Sequence, residues 1–600
     1  MSFASEILKP VSHKITLVEI DIPIVSDYLI NAEAGIWRYN LTPGVVEVEG
    51  SDDLTGYYEN QNIVVYRVAS VLVDVNTYIE VDSLADLRLQ QQAFYFDMAN
   101  NKVYIHFVES DWQLDRVVRI SAIEGYSDQV DSVNGAYYSD IYYEPRIMGL
   151  PALTKKKDPL FFGLLKFQSM TIGFNNADGH FDGFKDRDIW GQPVRVKYGF
   201  EGFAFDDFET LFSGFIDDFG YDWENFSLVL QDKRKNFTKK IPIRFYSRDD
   251  NPDLNDENVG KPIALAYGVI KKAPAICTDQ ENVAPADYSF KFMDTTDHAA
   301  QAITQVYVDN VKVSTVSTDL NNGEFVLALV DYEPGQEVLV DFTGASANAL
   351  DVIVDILDIY GGFEFLSANY NINEWNQEQA IAPDVGLYIG KLTMIKKLIE
   401  ECCVGADGVF NVTDDGHFSF RSYNEEREIS KVISDDEWLD MPKTKLKGDE
   451  FLSSVDIGYA RNEKTNVYRS ARNTDFEDEV VDIYRTEREK EIKTILTNET
   501  DAQAKGDKVM AISKQVNPVV TRKTKVQNML LNFMDFIVAS HKRLSEDADQ
   551  KVYELLGVTK DTKNAEVILE MRFVRDYVAP VFLAQQEFIF NDKIHIEKIW

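Results

Sequence analysis

The chain has 600 residues, 45% of them hydrophobic, and carries 61 Lys and Arg against 100 Asp and Glu, a net charge of −39. That length gives roughly three to five domains, and the acidic balance excludes a general nucleic-acid binder or a protein docked on anionic lipid, since both need cationic contacts. Its three cysteines, Cys277, Cys402 and Cys403, have neither a disulfide framework nor metal-ligand spacing, and are expected to pack.

The opening MSFASEILKPVSHKITLVEI lacks the charged and apolar regions of a signal peptide. No stretch approaches the roughly 18 uninterrupted apolar residues of a membrane span. Residues 1–149 read as an aromatic-rich β domain, with β-rich segments at Ile15–Ile24, Val46–Val48, Ile63–Val73 and Val103–Phe107. Asn100-Asn101 predicts a hairpin between FYFDMA and KVYIHF. Tyr57, Tyr58, Phe94, Tyr95, Phe96 and Tyr104 are expected mainly as core and sheet surface, with sugar stacking as the sharper alternative. Tyr137, Tyr138, Tyr142 and Tyr143 fall in what reads as a polar connector leading to Pro145.

Residues 150–276 predict a compact antiparallel β domain. Val194, Val196 and Tyr198 alternate with Arg195 and Lys197, and Phe226, Leu228 and Leu230 alternate in the same way, the period-two pattern of strands with one buried face. Asn176, Asp178, Gly179 and Asp182 shape a turn, with Asp178-Gly179 supplying the positive φ. Gly214 and Gly268 are expected at strand ends. Calcium is the competing reading of these carboxylates, but an EF-hand needs an acidic residue where Phe174 stands and a Glu where Lys185 stands. Turn formation is the better account.

Residues 277–345 predict a small β domain, with turns at Asp309-Asn310 and Asn322-Gly323. An α+β portion follows at 346–450. Leu350, Ile353, Leu357 and Tyr360 share one helical face that Gly361-Gly362 ends. A second helix, Thr393–Cys403, is followed by VFNV, an Asp415-Gly416 turn and HFSFRSY. Residues 451–575 return to β, with a helix expected to start at Thr500 as N-cap with Gln503 as its capping-box partner, and Val509, Ile512 and Val516 as its stripe. VYELLGVTKDTKNAEVILEMRFV predicts a hairpin turning at Asp561–Asn564. Residues 576–600 stay hydrophobic and are expected to dock on their own fold or on a neighbour.

No catalytic constellation emerges. His13, His106, His180, His298, His417, His541 and His595 are scattered singly, without HExxH, a G-x-S-x-G elbow or a Walker loop. The expectation is a non-enzyme with no cofactor and no metal.

The order of parts carries more. An N-x-DG-x-FD turn leads to GQPVRV, then FSGFIDDF, LVLQDKRKNFTKKIP and GKPIALAYG. Later, a helix precedes DDGHFSFR. This order resembles the tail-hub (baseplate hub) proteins of tailed bacteriophages and phage-like particles, over Leu150–Ile276 and more loosely over Leu350–Arg572. The resemblance implies a mainly β, multidomain fold with an α+β portion and two hub-type β-barrels, at 150–276 and 451–575. It implies a structural virion protein at the tail tip, assembled in the host cytoplasm. It implies a homotrimer that adapts a sixfold tail to a threefold tip, closes the channel and opens to release tape-measure protein and DNA. Implied partners are the distal tail protein ring, the tape-measure protein and a central tail fibre or receptor-binding proteins, with DNA passing without specific binding. The alternative is a distal-tail or receptor-binding tail protein that recognises host cell-surface glycan.

Overall fold

The computed structural model describes residues 141–576 except 158–162, 165–168, 187–188, 202, 281–286, 425–426, 446–450, 476, 515–518 and 540–550. Before residue 141 it describes eleven strands with Val81 and Asp128 beside them; residues 1–13 and 577–600 lie outside the described residues. The fold is mainly β, built from several sheets, with an α+β unit between them.

The first large sheet runs, in order of hydrogen-bonded neighbours, Ala136–Tyr138, Ile141–Glu144, Asp115–Ser127, Lys14–Asn31, Pro193–Phe200, Glu209–Tyr221, Asn225–Gln231, Ser169–Asn175 and Ile147–Gly149. It therefore crosses the boundary expected between residues 149 and 150. Lys14–Asn31 is antiparallel to Asp115–Ser127 on one side (Leu17 opposite Ser127) and to Pro193–Phe200 on the other (Ile20 opposite Val194). The predicted alternation holds: Val194, Val196, Tyr198, Phe226, Leu228 and Leu230 are all fully buried. Arg195 turns to the opposite face, where it pairs with Glu19 at 2.8 Å and Asp21 at 2.6 Å. The expected polar connector is instead two strands, Ala136–Tyr138 and Ile141–Glu144. Tyr143 is buried there and donates from its hydroxyl to Glu19 at 2.7 Å. Sequence reading missed this because the partner carboxylate lies on a strand far upstream.

A second N-terminal sheet contains the predicted hairpin, with Phe94 opposite Ile105 across Ala93–Asp97 and Lys102–His106. Asn100-Asn101, Tyr58 and the side chains of Tyr57, Phe96 and Tyr104 lie outside the described residues. Phe94 is buried and Tyr95 half-buried.

The second large sheet runs Ile429–Ile433, Phe536–Ala539, Lys551–Asp561, Glu566–Asp576, Val519–Lys525 and Lys443–Lys445. Its central hairpin turns where predicted: Asp561 accepts from the backbone N–H of Asn564 at 3.0 Å. Buried residues of both large sheets, among them Ile172, Leu228, Ile537, Leu555 and Leu569, form one continuous core.

Residues 451–575 contribute to two sheets. Ser454–Asn462, Val467–Asn473 and Glu489–Lys493 join the sheet of Val269–Pro274, Ala302–Val308 and Val338–Thr343. They also have a core of their own, in which Val509, Met510 and Ile512 of the Glu499–Ser513 helix cover Val455 and Ile457. That helix begins two residues earlier than expected. Asn498, not Thr500, is its N-cap, accepting from Asp501 N–H at 2.9 Å; Val516 lies outside the described residues.

In the α+β unit, the predicted face Leu350, Ile353, Leu357 and Tyr360 is buried on a helix, Ala349–Asp355, that continues as a π-helical turn to Gly361. Gly362 at φ +76° caps it in the left-handed region. The Ile395–Gly405 helix packs beside the Gly408–Val412 and Phe418–Ser422 hairpin, as expected. A further helix, Ile372–Gln379, went unpredicted. Its sequence INEWNQEQ carries one large apolar anchor, the fully buried Trp375, too few for a helical period to show.

Candidate functional site: a junction of sheets, strap and hairpin turn

Leu153–Lys156 leaves the first sheet and adds an antiparallel strand to Lys551–Asp561, with Leu153 opposite Lys560. Gly163–Leu164 then pairs parallel with Gly408–Val412. This short strap so joins the second sheet and the α+β hairpin directly after Ile147–Gly149 closes the edge of the first. Its three consecutive lysines each find a different carboxylate. Lys155 reaches Asp414 at 2.7 Å and the carbonyl of Val412 at 3.0 Å, and Lys156 reaches Glu570 at 2.6 Å. Lys157 meets Glu554 at 2.6 Å with both side chains at or below 1% exposure. Arg572 closes on the other oxygen of Glu554.

The electrostatics follow from crowding opposite charges away from water. Burial pushes the Asp414 carboxyl up, but the Lys155 and Lys560 ammonium groups beside it outweigh that and hold it at about 2. Glu554 is governed in the same way. Its burial is outweighed by Lys157 and Arg572, so its carboxyl stays below the ordinary range.

Asp414 belongs to the hairpin turn that the sequence singles out. Gly416 in that turn has φ +88°, and a Cβ there would stand 2.9 Å from Ser213 Oγ of the first sheet. The Asp414–Gly416 turn thus touches the first sheet at Ser213, the strap at Lys155 and the second sheet at Lys560.

The first signature turn lies elsewhere on the first sheet, and the structure brings four of its predicted residues together. Buried Asn176 accepts from Phe181 N–H at 2.9 Å and donates from Nδ2 to Asp182 at 3.0 Å and to the Asp222 carbonyl at 3.2 Å. Gly179 has φ +75°, which a side chain resists. Asp178 takes both Nη groups of Arg146 at 2.8 Å. That fork, with the smaller effect of the Arg146 charge, holds its carboxyl at about 2 despite some desolvation. Phe181 and Phe184 anchor the turn, Phe181 stacking on Phe226 with ring centroids 4.3 Å apart; burying each contributes about 1.5–3 kcal/mol.

The other two predicted glycines stand apart from this turn. Gly214 lies inside the Glu209–Tyr221 strand, not at its end, and glycine is required there because a Cβ would sit 2.3 Å from the Gln231 carbonyl across the sheet. Gly268 does separate two strands, at φ +65°, with its Cα against the Val385 carbonyl: an added Cβ would be 1.8 Å from that oxygen. Sequence reading missed Arg146, Lys155, Lys157, Glu554 and Arg572 altogether. The run Lys155-Lys156-Lys157 was the one available signal, in a stretch that reads as linker.

Among the described residues, no three His, Cys, Asp or Glu side chains are grouped to hold a metal. His180, His298 and His417 face Glu144, Asp355 and Asp415 respectively, each singly; His13, His541 and His595 lie outside the described residues. Cys277, Cys402 and Cys403 are buried free thiols, and burial pushes Cys277 up to about 12.

No protein-family model and no curated protein matches the chain. Among solved structures it is similar to a tail protein from Neisseria meningitidis MC58, at 9% identity and a TM-score of 0.37 over 70% of this chain and 92% of that one. It is similar to the prophage MuSo2 43 kDa tail protein from Shewanella oneidensis, at 9% identity and 0.33 over 70% and 93%. A chain in the virion of a native gene transfer agent particle matches at 10% identity and 0.38 over 57% and 92%. At these TM-scores the likeness does not by itself assign a fold.

Proposed function

We propose that this chain is a structural tail-hub protein of a tailed phage or phage-like particle, without catalytic activity. The sequence resemblance over Leu150–Ile276 and Leu350–Arg572 supports the reading. The observation that carries it is the pair of large, mainly antiparallel sheets around one continuous core, held by a strap with buried ion pairs. One subunit then offers two comparable β units, and three subunits offer six to a sixfold ring of distal tail protein. The α+β unit and the smaller sheets form the narrowing part towards the tip, where a central fibre or receptor-binding proteins attach. The net charge of −39 suits a bore that tape-measure protein and DNA traverse without sticking. Opening is a rigid-body rotation of subunits, which the stiff junction at Asp414 favours over internal deformation.

Mass photometry of the purified chain followed by negative-stain imaging tests this reading. The expected species is a ring or cup of three subunits with a central opening. A stable monomer that also fails to join tail particles refutes it.

A further inference from the structure

The tip of the Glu209–Tyr221 and Asn225–Gln231 hairpin carries Trp223, whose side chain is 92% exposed. A tight hairpin tip calls for Gly, Asn or Asp; an indole there has no turn-forming use. Everything around it is fixed. Asp222 accepts from the backbone N–H groups of Glu224 at 2.8 Å and Asn225 at 2.7 Å. The signature turn clamps both sides of the tip, with Asn176 Nδ2 donating to the Asp222 carbonyl at 3.2 Å and Asn176 N–H to the Glu224 carbonyl at 2.7 Å. Exposed Tyr221, and half-exposed Trp190 against Phe219 at 4.7 Å, extend the apolar surface. Asp222 and Glu224, on either side of the indole in the chain, rim it with negative charge. A rigid, desolvation-ready indole ringed by polar groups is how a binding hot spot is built.

On the same chain, a cleft of about 750 Å³ lies between the Ile395–Gly405 helix and the smaller sheets. Tyr246, Pro262, Ile276 and Leu392 give it apolar walls. Its rim carries Lys261, Lys391, Lys397 and Arg461, a local reversal of sign in a chain of net charge −39. Glu463 is taken up by Arg461 at 2.7 Å, and Glu401 lies 3.9 Å from Lys397. Among the described residues neither Lys261 nor Lys391 has a carboxylate partner; Lys261 donates to the amide oxygen of Asn258.

We propose that Trp223 of one copy inserts into this cleft of a second copy, with Asp222 and Glu224 meeting Lys261 and Lys391. The contact is head-to-tail, so it closes into a ring when the rotation allows. It rests on the ring-forming reading above and supplies the interface that reading lacks. Charge complementarity selects the second copy as occupant: the acidic tip opposes most of this chain's own surface and suits this cleft.

Sedimentation velocity of the full chain over a concentration series tests it, with circular dichroism as the folding control. Trp223→Ala is expected to weaken association at least about 30-fold. Glu224→Lys and Lys391→Glu are each expected to weaken it about 10-fold, and the two together to restore it to within about 3-fold of the parent. Oligomers unchanged by Trp223→Ala overturn this interface while leaving the ring reading intact. Failure of the charge swap to restore association overturns the cleft as the acceptor. A parent chain that stays monomeric at every concentration overturns this interface, and overturns the ring reading as well if it also fails to join tail particles.

Discussion

The turn at Asn176–Asp182 and the strap at Leu153–Lys157 are both polar structures that hold the first sheet, and they differ in how far along the chain their partners lie. Asn176 finds Phe181 and Asp182 within six residues, and its ion pair, Asp178 with Arg146, is open to solvent. Lys157 waits for Glu554 and Arg572, and both charges of the Lys157–Glu554 pair are buried. The two also fail differently. An exposed pair returns to water when broken, whereas a buried one leaves an uncompensated charge.

The largest expected effect is therefore at the strap. Glu554→Ala strands Lys157 and Arg572 together in the core, and urea denaturation of the full chain is expected to show a loss of about 3–5 kcal/mol. A loss under about 1 kcal/mol would mean that the pair is hydrated and the contrast false. Next comes Gly179→Val in the turn, which forces a β-branched residue to φ +75° and is expected to lose about 1–3 kcal/mol. A normal melting profile for this variant would break the turn assignment.

Acid titration separates the two regions without altering backbone. Asp414 sits at about 2 in the fold and near 3.9 when unfolded. Between those values the unfolded chain binds the extra proton, so stability is whole above about pH 4 and is lost as pH falls towards about 2. Glu554, also depressed, adds to the same acid limb. Asp414→Asn is expected to flatten this limb in a pH series of denaturation midpoints. Asp178 is also held at about 2, but its side chain is 59% exposed and solvent screens its pair with Arg146, so Asp178→Asn is expected to change stability by less than about 1 kcal/mol at neutral pH and to leave the limb nearly as steep. If the two variants flatten it equally, burial is not what distinguishes turn from strap.

The same contrast explains what could be read from the sequence. The alternation of Val194, Val196 and Tyr198, the Gly362 cap and the Asp561–Asn564 turn were legible because each is decided within a few residues. Asn176, Asp178, Gly179 and Asp182 were legible as one turn for that reason. The strap was not, because Lys155, Lys156 and Lys157 look solvated until the strand at Lys551–Asp561 arrives to pair with them. Tyr143 misled for the converse reason: its hydroxyl suggests a surface, yet Glu19 satisfies it in the interior. Gly214 read as a strand end because the crowding that demands glycine there comes from Gln231 on the next strand. The sheet shared by Ser454–Asn462 and Val269–Pro274 left no local trace at all.

The pairing of Leu153–Lys156 with Lys551–Asp561 also sets a timetable for biosynthesis. A ribosome adding about 5–20 residues per second makes the strap roughly 20–80 s before its partner strand emerges. For that interval the strap is an unpaired strand edge, the kind of segment that recruits other nascent chains into aggregates. Three adjacent ammonium groups are an effective guard against that, keeping the waiting segment hydrated and repelling its own kind. Lys155 and Lys157 lose their solvent only when Asp414 and Glu554 from later sequence take its place, while Lys156 stays half-exposed beside Glu570, so the residues that keep the strap soluble during synthesis are those that lock it afterwards.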